Sequence, residues 1–582
     1  MDDEATNILS SSNEGRNCWI VTTAALPWRT GTSINPLLRA LFLIKRFDED
    51  REKGILNVPS GVHLMIPWLV DVHDRRCLYS EENSFCDGVE GKRRQTEFIR
   101  NWSIRYAKMP RSLVYEKLKI WYYPAKYHSS LGSIFPLISI CSLIPDEDAD
   151  ICILEEPEHL NWIPTSTVDE DVVKRMIPEK QRSSKCWNEK FGLVVGIAHT
   201  NYGAYTKGHG DILVSPALQA LSSAVVRAYC DKVILLSSTL ETFGHSCEIV
   251  KNVHGVRSDF FQICSNEDRG PVKAYFVGKL LWSGKGFDKL YEYQHAFRKA
   301  TGKFFDIDVY GSGSDENYIR QMFLLEKPSE NSSNLDSGAI DEMSYSLLVE
   351  SLMSSSTSLR DFLRDEENSL LDLGESKRYD PQTSIMKNLT EKSLGLGSKT
   401  VQAIIKFGKS AIFGNQQTLI ETDGGKVPAR FLGVKDHAFL TGYSIFVNTS
   451  TTEVLCTTTA EALAMGKWVI IPQHRSNLFF EQFDNCLSYN DVNSFINNME
   501  VALRSDPKPM RKDMIDILTW EAATQRLIDA TELYDVSEKN QVKNTGFKWG
   551  HQEASKLLNH GLLRNFFWTA PESILNEYKD YY

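Results

Sequence analysis

The chain has 582 residues, of which 42% are hydrophobic and 11% aromatic, and this length exceeds what one hydrophobic core usually supports. We therefore expect at least two domains. The 65 basic and 76 acidic side chains give a net charge of −11, which argues against a general nucleic-acid-binding protein, because such proteins usually carry a basic surface.

The first part of the chain alternates short apolar runs with helix-like segments. Residues 1–16 hold four acidic residues and one basic residue, so we expect a disordered terminus and no signal peptide. A doubly wound α/β domain with a mostly parallel sheet is predicted over 17–268. Its strands are predicted at Cys18–Thr23, Val62–Ile66, Asp150–Leu154, Leu193–Ala198 and Lys232–Leu236, and its helices at 37–47 and Pro216–Tyr229.

The longest apolar stretch argues against a membrane-spanning protein, and the cysteines argue against a disulfide-linked or zinc-binding one. Leu131–Ile144 is shorter than the ~18–20 residues of a membrane span and contains Pro136, so we expect a buried strand and loop. The eleven cysteines form no Cys-x-x-Cys pair, which argues against a disulfide framework and a zinc site.

The strand–helix pattern restarts near residue 271. A second Rossmann-like domain is therefore expected over 269–325 and 427–506. Ligands of such sheets bind at the carboxyl ends of the strands, so two facing domains would hold a ligand between them. Strands are predicted at Val272–Val277, Phe305–Tyr310, Ser444–Asn448 and Trp468–Pro472, and helices at Phe287–Thr301 and Thr452–Met465.

A low-complexity insert at 326–426 interrupts the second domain. Its part 326–376 has thirteen serines and twelve acidic residues against three basic ones, which predicts disorder around a transient helix at Tyr345–Leu363. This part carries −9 of the net charge, so the rest of the chain is nearly neutral. Lys399–Phe413 is basic and amphipathic, and it suits either an anionic membrane surface or a partly solvated helix. Residues 507–582 predict a helical tail that packs across the domains.

Two glutamates in the segment STTEVLCTTTAEALAMGKWVIIP are eight residues apart, at Glu453 and Glu461. On a helix that begins near Thr451 or Thr452, this spacing puts both carboxylates roughly on one face. The amides at the start of such a helix suit a phosphate, and the carboxylates suit sugar and ribose hydroxyls. Two ordinary helix glutamates, one of them helping the cap, are the alternative.

Three further candidates follow predicted strands. Lys279 and Lys285 lie among glycines in VGKLLWSGKGF, where ammonium and backbone groups can approach a diphosphate, unless they are simply solvated lysines. Gly31 belongs to a ligand loop or to a plain tight turn, since the loop lacks the dinucleotide and Walker patterns. His199 ends an apolar strand, as an active-site or a structural histidine. The segment LEEPEHLNW adds clustered carboxylates but no second histidine at metal spacing, so no metal site is expected.

Together, the Glu453-x7-Glu461 motif and the lysine pair resemble the retaining nucleotide-sugar glycosyltransferases of family 4, which have the GT-B fold. Longer segments narrow this resemblance to the digalactosyldiacylglycerol synthases of plants and algae. It covers roughly residues 17–320 and 430–500. The segments are TAALPWRTGTSINPLLRA, LEEPEHLNW, HTNY, RAYCDKVILLS and STTEVLCTTTAEALAMGKWV.

The resemblance implies an α/β protein of the GT-B fold, with two facing Rossmann-like domains, the insert in the second and the helical tail. It implies galactosyl transfer from UDP-galactose to monogalactosyldiacylglycerol, without a metal or other cofactor, at the cytosol-facing outer membrane of the plastid envelope. It also implies peripheral association with that membrane and no nucleic-acid partner. The resemblance implies that Glu453 contacts the donor hexose, that Glu461 contacts the ribose, and that Lys279 and Lys285 contact the diphosphate. It also implies that Thr452 and Gly31 bind the donor and that His199 lies beside the reacting sugar.

Two rival functions fit the same motifs. One is another family-4 transferase with a different sugar or lipid acceptor, because the motif positions do not separate UDP-galactose from UDP-glucose. The other is a catalytically silent protein that binds glycolipid at a membrane. One residue more than usual between Lys279 and Lys285 favours the silent protein, and the intact Glu453, Glu461 and His199 count against it.

Overall fold

A computed structural model describes residues 16–79, 85–128, 132–161, 185–200, 214–261, 273–324 and 426–535. The predicted terminus at 1–15, the insert up to residue 425 and the tail after residue 535 lie outside the described residues. The expected helices at Tyr345–Leu363 and Lys399–Phe413 therefore lie outside them as well.

The first part of the chain forms an eight-stranded sheet with the strand order β4-β3-β2-β1-β5-β6-β7-β8. Neighbouring strands are parallel, except that β4 runs antiparallel to β3. The strands are Asn17–Val21 (β1), Gly61–Leu69 (β2), Leu118–His128 (β3), Ser133–Pro136 (β4), Ile151–Glu155 (β5), Leu193–Ala198 (β6), Lys232–Leu235 (β7) and Glu248–Val250 (β8). The helices are Gly31–Glu52 (α1), Val72–Tyr79 (α2), Gly88–Arg105 (α3), Pro157–Leu160 (α4), Trp187–Lys190 (α5), Val214–Tyr229 (α6) and Ser258–Phe261 (α7).

The second part forms a six-stranded parallel sheet with the order β11-β10-β9-β12-β13-β14. Its strands are Ala274–Val277 (β9), Ile307–Tyr310 (β10), Ala429–Phe431 (β11), Ile445–Val447 (β12), Trp468–Pro472 (β13) and Cys486–Tyr489 (β14). Its helices, with two that follow it, are Phe287–Thr301 (α8), Glu316–Leu324 (α9), Thr457–Ala464 (α10), Val492–Arg504 (α11), Lys512–Leu518 (α12) and Trp520–Thr531 (α13).

The predicted class, α/β with two parallel Rossmann-like sheets, is confirmed. The central strands β5 and β6 are buried along their whole length, as expected where helices cover both faces of a parallel sheet. Their sequences are correspondingly continuous apolar runs, which is why their positions could be predicted closely. The stretch expected as buried strand and loop contains β4 and the buried turn Ile140–Leu143.

Two predicted helices begin elsewhere in the structure. Helix α1 was expected from residue 37 after a loop or turn at Gly31, but it begins at Gly31 itself. Helix α10 was expected from Thr452, but it begins at Thr457 with Cys456 as its N-cap. The preceding residues are held in a loop by tertiary hydrogen bonds. The Thr452 hydroxyl donates to the Gly284 carbonyl at 2.5 Å, and the Val454 carbonyl accepts from the Ser237 hydroxyl. Backbone and side chains committed to these partners cannot also start a helix.

The helices after the second sheet return to the first. Trp520 of α13 stacks on Phe42 of α1 with ring centroids 6.0 Å apart, and the Arg526 guanidinium donates to the Asn252 carbonyl at 2.6 Å. Trp520 thus belongs to the same buried cluster as the strands of the first sheet. Within the described ranges, no helix combines the length and apolar character needed to cross a membrane.

Candidate active site

The strand order reverses once in each sheet, between β1 and β5 and between β9 and β12. In doubly wound sheets, ligands bind outside the carboxyl ends of the strands at such reversal points. Gly31 follows β1, Lys279 and Lys285 follow β9, and Glu453 follows β12. The topology therefore places these predicted site residues at the two reversal points.

At the second reversal point, two loops carry an ion pair. The Lys285 ammonium lies 2.5 Å from the Glu453 carboxylate, and the two side chains are 23% and 16% exposed. The pair joins residues 168 positions apart in the chain. Because both groups remain partly open to solvent, either can exchange its partner for a ligand.

Hydroxyl groups hold these two loops together. The Thr449 hydroxyl donates to the Gly286 carbonyl at 2.6 Å, and the Ser450 and Thr452 hydroxyls both donate to the Gly284 carbonyl. Gly286 has a φ of +73°, and a Cβ there would lie 2.4 Å from the Thr449 carbonyl oxygen. Only glycine permits this conformation and this approach, which explains the glycine after Lys285.

Lys279 and Lys285 have different electrostatic surroundings. Within the described part of the chain, Lys279 is exposed and makes no ion pair or hydrogen bond. Partial desolvation by the surrounding loops lowers the pKa of Lys279, and the charge of Lys285 lowers it further. Desolvation also disfavours the charged form of Lys285, but the Glu453 carboxylate outweighs it and raises the pKa of Lys285. A bound diphosphate would relieve the repulsion between the two lysines.

Glu461 lies on α10, whereas Glu453 lies in the loop before it, so the expectation that one helix face carries both carboxylates is wrong. The Glu461 Oε2 atom lies 2.8 Å from His437 Nδ1, and its side chain is 23% exposed. Thr452 is exposed and fastens its loop to Gly284 through its hydroxyl. The amides at the start of α10 belong to Thr457 and the residues after it, which excludes a helix start beside Glu453.

At the first reversal point, His199 belongs to a buried ionic chain. Its Nε2 atom contacts Glu155 Oε2, and the other Glu155 oxygen accepts from Arg39 Nε at 2.6 Å. Burial opposes ionisation of Glu155, but the nearby Arg39 and His199 charges prevail and hold its pKa at about 2. The ring of His254 lies 5.1 Å from that of His199. His199 is therefore oriented by a charged carboxylate.

The neighbouring carboxylates of LEEPEHLNW have separate environments. Glu156 has a left-handed φ of +64° and accepts from the Thr23 and Thr200 hydroxyls at 2.7 and 2.5 Å. Glu158 is fully buried, and neither of its oxygens has a hydrogen-bond partner among the described residues. Burial raises the pKa of Glu158 well above its usual range, and the Glu156 charge adds to this. Because Glu158 is enclosed by the protein, its carboxyl group is unsuited to bind a sugar.

Gly31 is the exposed first residue of α1. A Cβ there would meet only the Asn35 amide nitrogen, at an ordinary contact distance of 3.6 Å. Local packing therefore does not require glycine at this position.

Sequence reasoning missed three residues of these networks. Arg39 had a detectable signature, because it is a cation with apolar residues on both sides in α1. His437 and Tyr275 had none, since a single histidine in a loop and a tyrosine in a strand are usually structural.

No family model matches the chain. Curated relatives do. The chain is 30% identical over 533 residues to digalactosyldiacylglycerol synthase 1, chloroplastic, of Arabidopsis thaliana, covering 89% of this chain and 48% of that protein. It is 31% identical over 529 residues to digalactosyldiacylglycerol synthase 2, chloroplastic, of the same plant, covering 89% of this chain and 82% of that protein. The chain is also 30% identical over 539 residues to digalactosyldiacylglycerol synthase 2, chloroplastic, of Lotus japonicus, covering 90% of this chain and 85% of that protein.

The chain spans about half the length of the synthase 1 relatives it matches. Among solved structures, the lipopolysaccharide outer core galactosyltransferase WaaB in its apo form is 12% identical with a TM-score of 0.40, covering 88% of this chain and 98% of that chain. The assignment of the fold rests on the two sheets themselves. With 30–31% identity over most of both chains for the synthase 2 relatives, the chain belongs to the digalactosyldiacylglycerol synthase family.

Proposed function

We propose that this chain transfers galactose from UDP-galactose to monogalactosyldiacylglycerol, with retention of the anomeric configuration. The observation that carries the proposal is the Lys285–Glu453 pair, with Lys279 in the same loop as Lys285, at the reversal point of the second sheet. Membership of the synthase family supports the donor and the acceptor.

The diphosphate of the donor would bind between Lys279 and Lys285. Lys285 then turns from Glu453 to a phosphate oxygen, and Glu453 becomes free to accept hydrogen bonds from hexose hydroxyls. Fixed cations in a partly desolvated site stabilise the negative charge that develops on the departing UDP. Glu461 accepts hydrogen bonds from the ribose through its carboxylate.

The transfer itself needs no enzyme nucleophile. The acceptor hydroxyl forms a bond to the anomeric carbon on the face from which UDP leaves, while the bond from that carbon to the phosphate oxygen breaks. The acceptor proton passes to the departing phosphate, so the charges balance. His199 lies beside the reacting sugar, and Gly31 leaves room for the donor.

A galactolipid acceptor requires action at a membrane surface. We propose peripheral association with the cytosol-facing side of the plastid outer envelope. The relatives named above carry the word chloroplastic in their names, which supports this compartment.

The assay offers labelled UDP-galactose or UDP-glucose to purified protein with vesicles that contain monogalactosyldiacylglycerol, and identifies the lipid product and its anomeric linkage. We expect galactose transfer in the α configuration, which is that of the donor. Glucose transfer instead would contradict the galactose assignment. No transfer from either donor would favour a silent glycolipid-binding protein.

A variant pair tests the role of Glu453. Glu453→Gln replaces the charged acceptor of hexose hydroxyls with a neutral amide and frees Lys285, so transfer should fall about tenfold or more while UDP affinity is kept or increased. Glu292→Gln is the matched control, because Glu292 pairs with Lys289 on the outer face of α8, where both side chains are exposed. A loss of UDP affinity in Glu453→Gln would contradict the assignment of Glu453 to the hexose.

A further inference from the structure

A chain of hydrogen bonds runs from the second sheet to Glu461. The Tyr275 hydroxyl, on β9, lies 2.6 Å from His437 Nε2, and His437 Nδ1 lies 2.8 Å from Glu461 Oε2. Tyr275 is fully buried and His437 is 6% exposed. Only Glu461 extends toward solvent, so the chain supports one carboxylate from behind.

The chemistry of the three groups assigns the protons. An ionised carboxylate only accepts, so His437 Nδ1 must donate to Glu461. Burial lowers the pKa of His437, although Glu461 opposes this, which favours a neutral ring whose Nε2 is an acceptor. Burial raises the pKa of Tyr275 well above its usual range, so its hydroxyl keeps its proton and donates to Nε2. Tyr275 thereby selects the tautomer of His437 that binds Glu461.

The surroundings hold His437 in one place. Its ring contacts the rings of Phe260 and Phe446, with centroids 5.6 and 5.9 Å away. Its turn is capped by Asp436, whose carboxylate accepts from the Ala438 amide at 3.1 Å and pairs with Arg257 at 3.2 Å. The imidazole therefore has little freedom to follow Glu461 if that side chain moves.

The consequence falls on the two oxygens of Glu461. Oε2 is held by His437, and within the described residues Oε1 makes no hydrogen bond. A carboxylate held at one oxygen has lost most of its rotational freedom before a ligand arrives, which reduces the entropic cost of binding. The free oxygen can accept a hydrogen bond from a ribose hydroxyl.

We propose that His437 and Tyr275 are positioning residues of the donor site, which hold Glu461 so that its free oxygen meets the nucleotide ribose. This inference rests on the proposed function, in which Glu461 binds the ribose. It adds two buried residues that lack any sequence motif of their own.

The test measures the affinity of the full chain for UDP and for pyrophosphate, which lacks the ribose. His437→Leu should weaken UDP about tenfold and leave pyrophosphate unchanged. His437→Asn places an amide N–H near the position of Nδ1 and should restore most of the affinity for UDP. Tyr275→Phe keeps the buried ring, removes one oxygen and should weaken UDP about two- to fivefold.

A double variant separates this proposal from the proposed function. In a Glu461→Ala background, which removes both carboxylate oxygens, His437→Leu should cause no further loss of UDP affinity. If Glu461→Ala weakens UDP but His437→Leu does not, the positioning role is overturned and the ribose role stands. If Glu461→Ala leaves UDP affinity unchanged, the ribose role and the inference both fail.

A purely structural role for His437 predicts equal losses for UDP and pyrophosphate, and that result would also overturn the inference. If His437→Leu does not fold, Tyr275→Phe decides, since it preserves the packing. Unchanged UDP affinity in Tyr275→Phe would then count against the role of the hydrogen bonds from Tyr275 through His437 to Glu461.

Discussion

The two reversal points of this molecule use charge in opposite ways. At the first, Arg39, Glu155 and His199 form a closed chain whose side chains are at most 6% exposed. At the second, the Lys285–Glu453 pair stays partly exposed, and Lys279 has no ionic partner among the described residues. Similar residue types thus form a buried network in one sheet and a partly exposed one in the other.

This difference indicates that the two networks have different roles. A ligand that separated one of these buried ions from its partner would leave the other charge desolvated and unpaired. The first network therefore fixes geometry. Partly exposed ions lose little when they change partners, so the second network can bind and release an anion. The largest effects on stability should therefore come from the first sheet, and the largest effects on nucleotide binding from the second.

The substitution Arg39→Met should have the largest effect, and it tests whether the buried network of the first sheet stabilises the fold. The substitution leaves Glu155 buried without its guanidinium, and the free energy of unfolding should fall by about 3–5 kcal/mol. Urea unfolding followed by circular dichroism measures it. Lys45→Met is the matched control on the same helix, because Lys45 pairs with Glu521 at the surface and should cost less than about 1 kcal/mol. Equal losses would mean that burial of the first network is not decisive.

Lys285→Met tests the partly exposed network. It removes a cation that we place on the diphosphate, so UDP affinity should fall about 10- to 100-fold while the unfolding midpoint changes little. Isothermal titration calorimetry measures the affinity. Lys289→Met, in the first turn of α8 with an exposed side chain, should bind UDP like the parent protein. A large loss of stability in Lys285→Met would place the Lys285–Glu453 pair with the buried network.

The smallest expected effect is the pH dependence of UDP binding through Lys279. Its pKa is lowered by partial desolvation and by Lys285, and a bound diphosphate would raise it again. Binding should therefore take up a proton as pH rises through the lowered pKa of the free protein, and affinity should fall on the alkaline side. Because Lys279 is exposed, we expect the loss to be about a few-fold, at pH values where the phosphate is already ionised.

Calorimetry in two buffers of different ionisation enthalpy counts the protons taken up. Lys279→Met should flatten the alkaline limb of the profile. A profile that is unchanged in this variant would assign the proton to another group.

Much of the fold followed from local pattern. The strands Leu193–Ala198 and Trp468–Pro472 and the helix Phe287–Thr301 were predicted at their observed bounds, because continuous apolar runs and helical periodicity are local properties. The long strand β3 was not predicted, since its run LKIWYYPAKYH mixes lysines and a proline with aromatic residues.

The candidate site was predictable as a set of residue types and positions along the chain. Its internal arrangement was not. The start of α10 moved by five residues because Thr452 and Val454 found partners in other loops, and these partners leave no trace in the local sequence. The attachment of Glu461 to His437 escaped prediction for the same reason.

The amino-acid sequence alone determined the α/β alternation, the glycine-flanked lysines and the spaced glutamates, because each depends on neighbours within a few residues. Only the tertiary structure decided that Lys285 meets Glu453 across 168 positions, that Glu155 is enclosed and that His437 supports Glu461. These pairings depend on strand order and on which loops share an edge of a sheet. That order results from the packing of the whole chain and from no single segment of it.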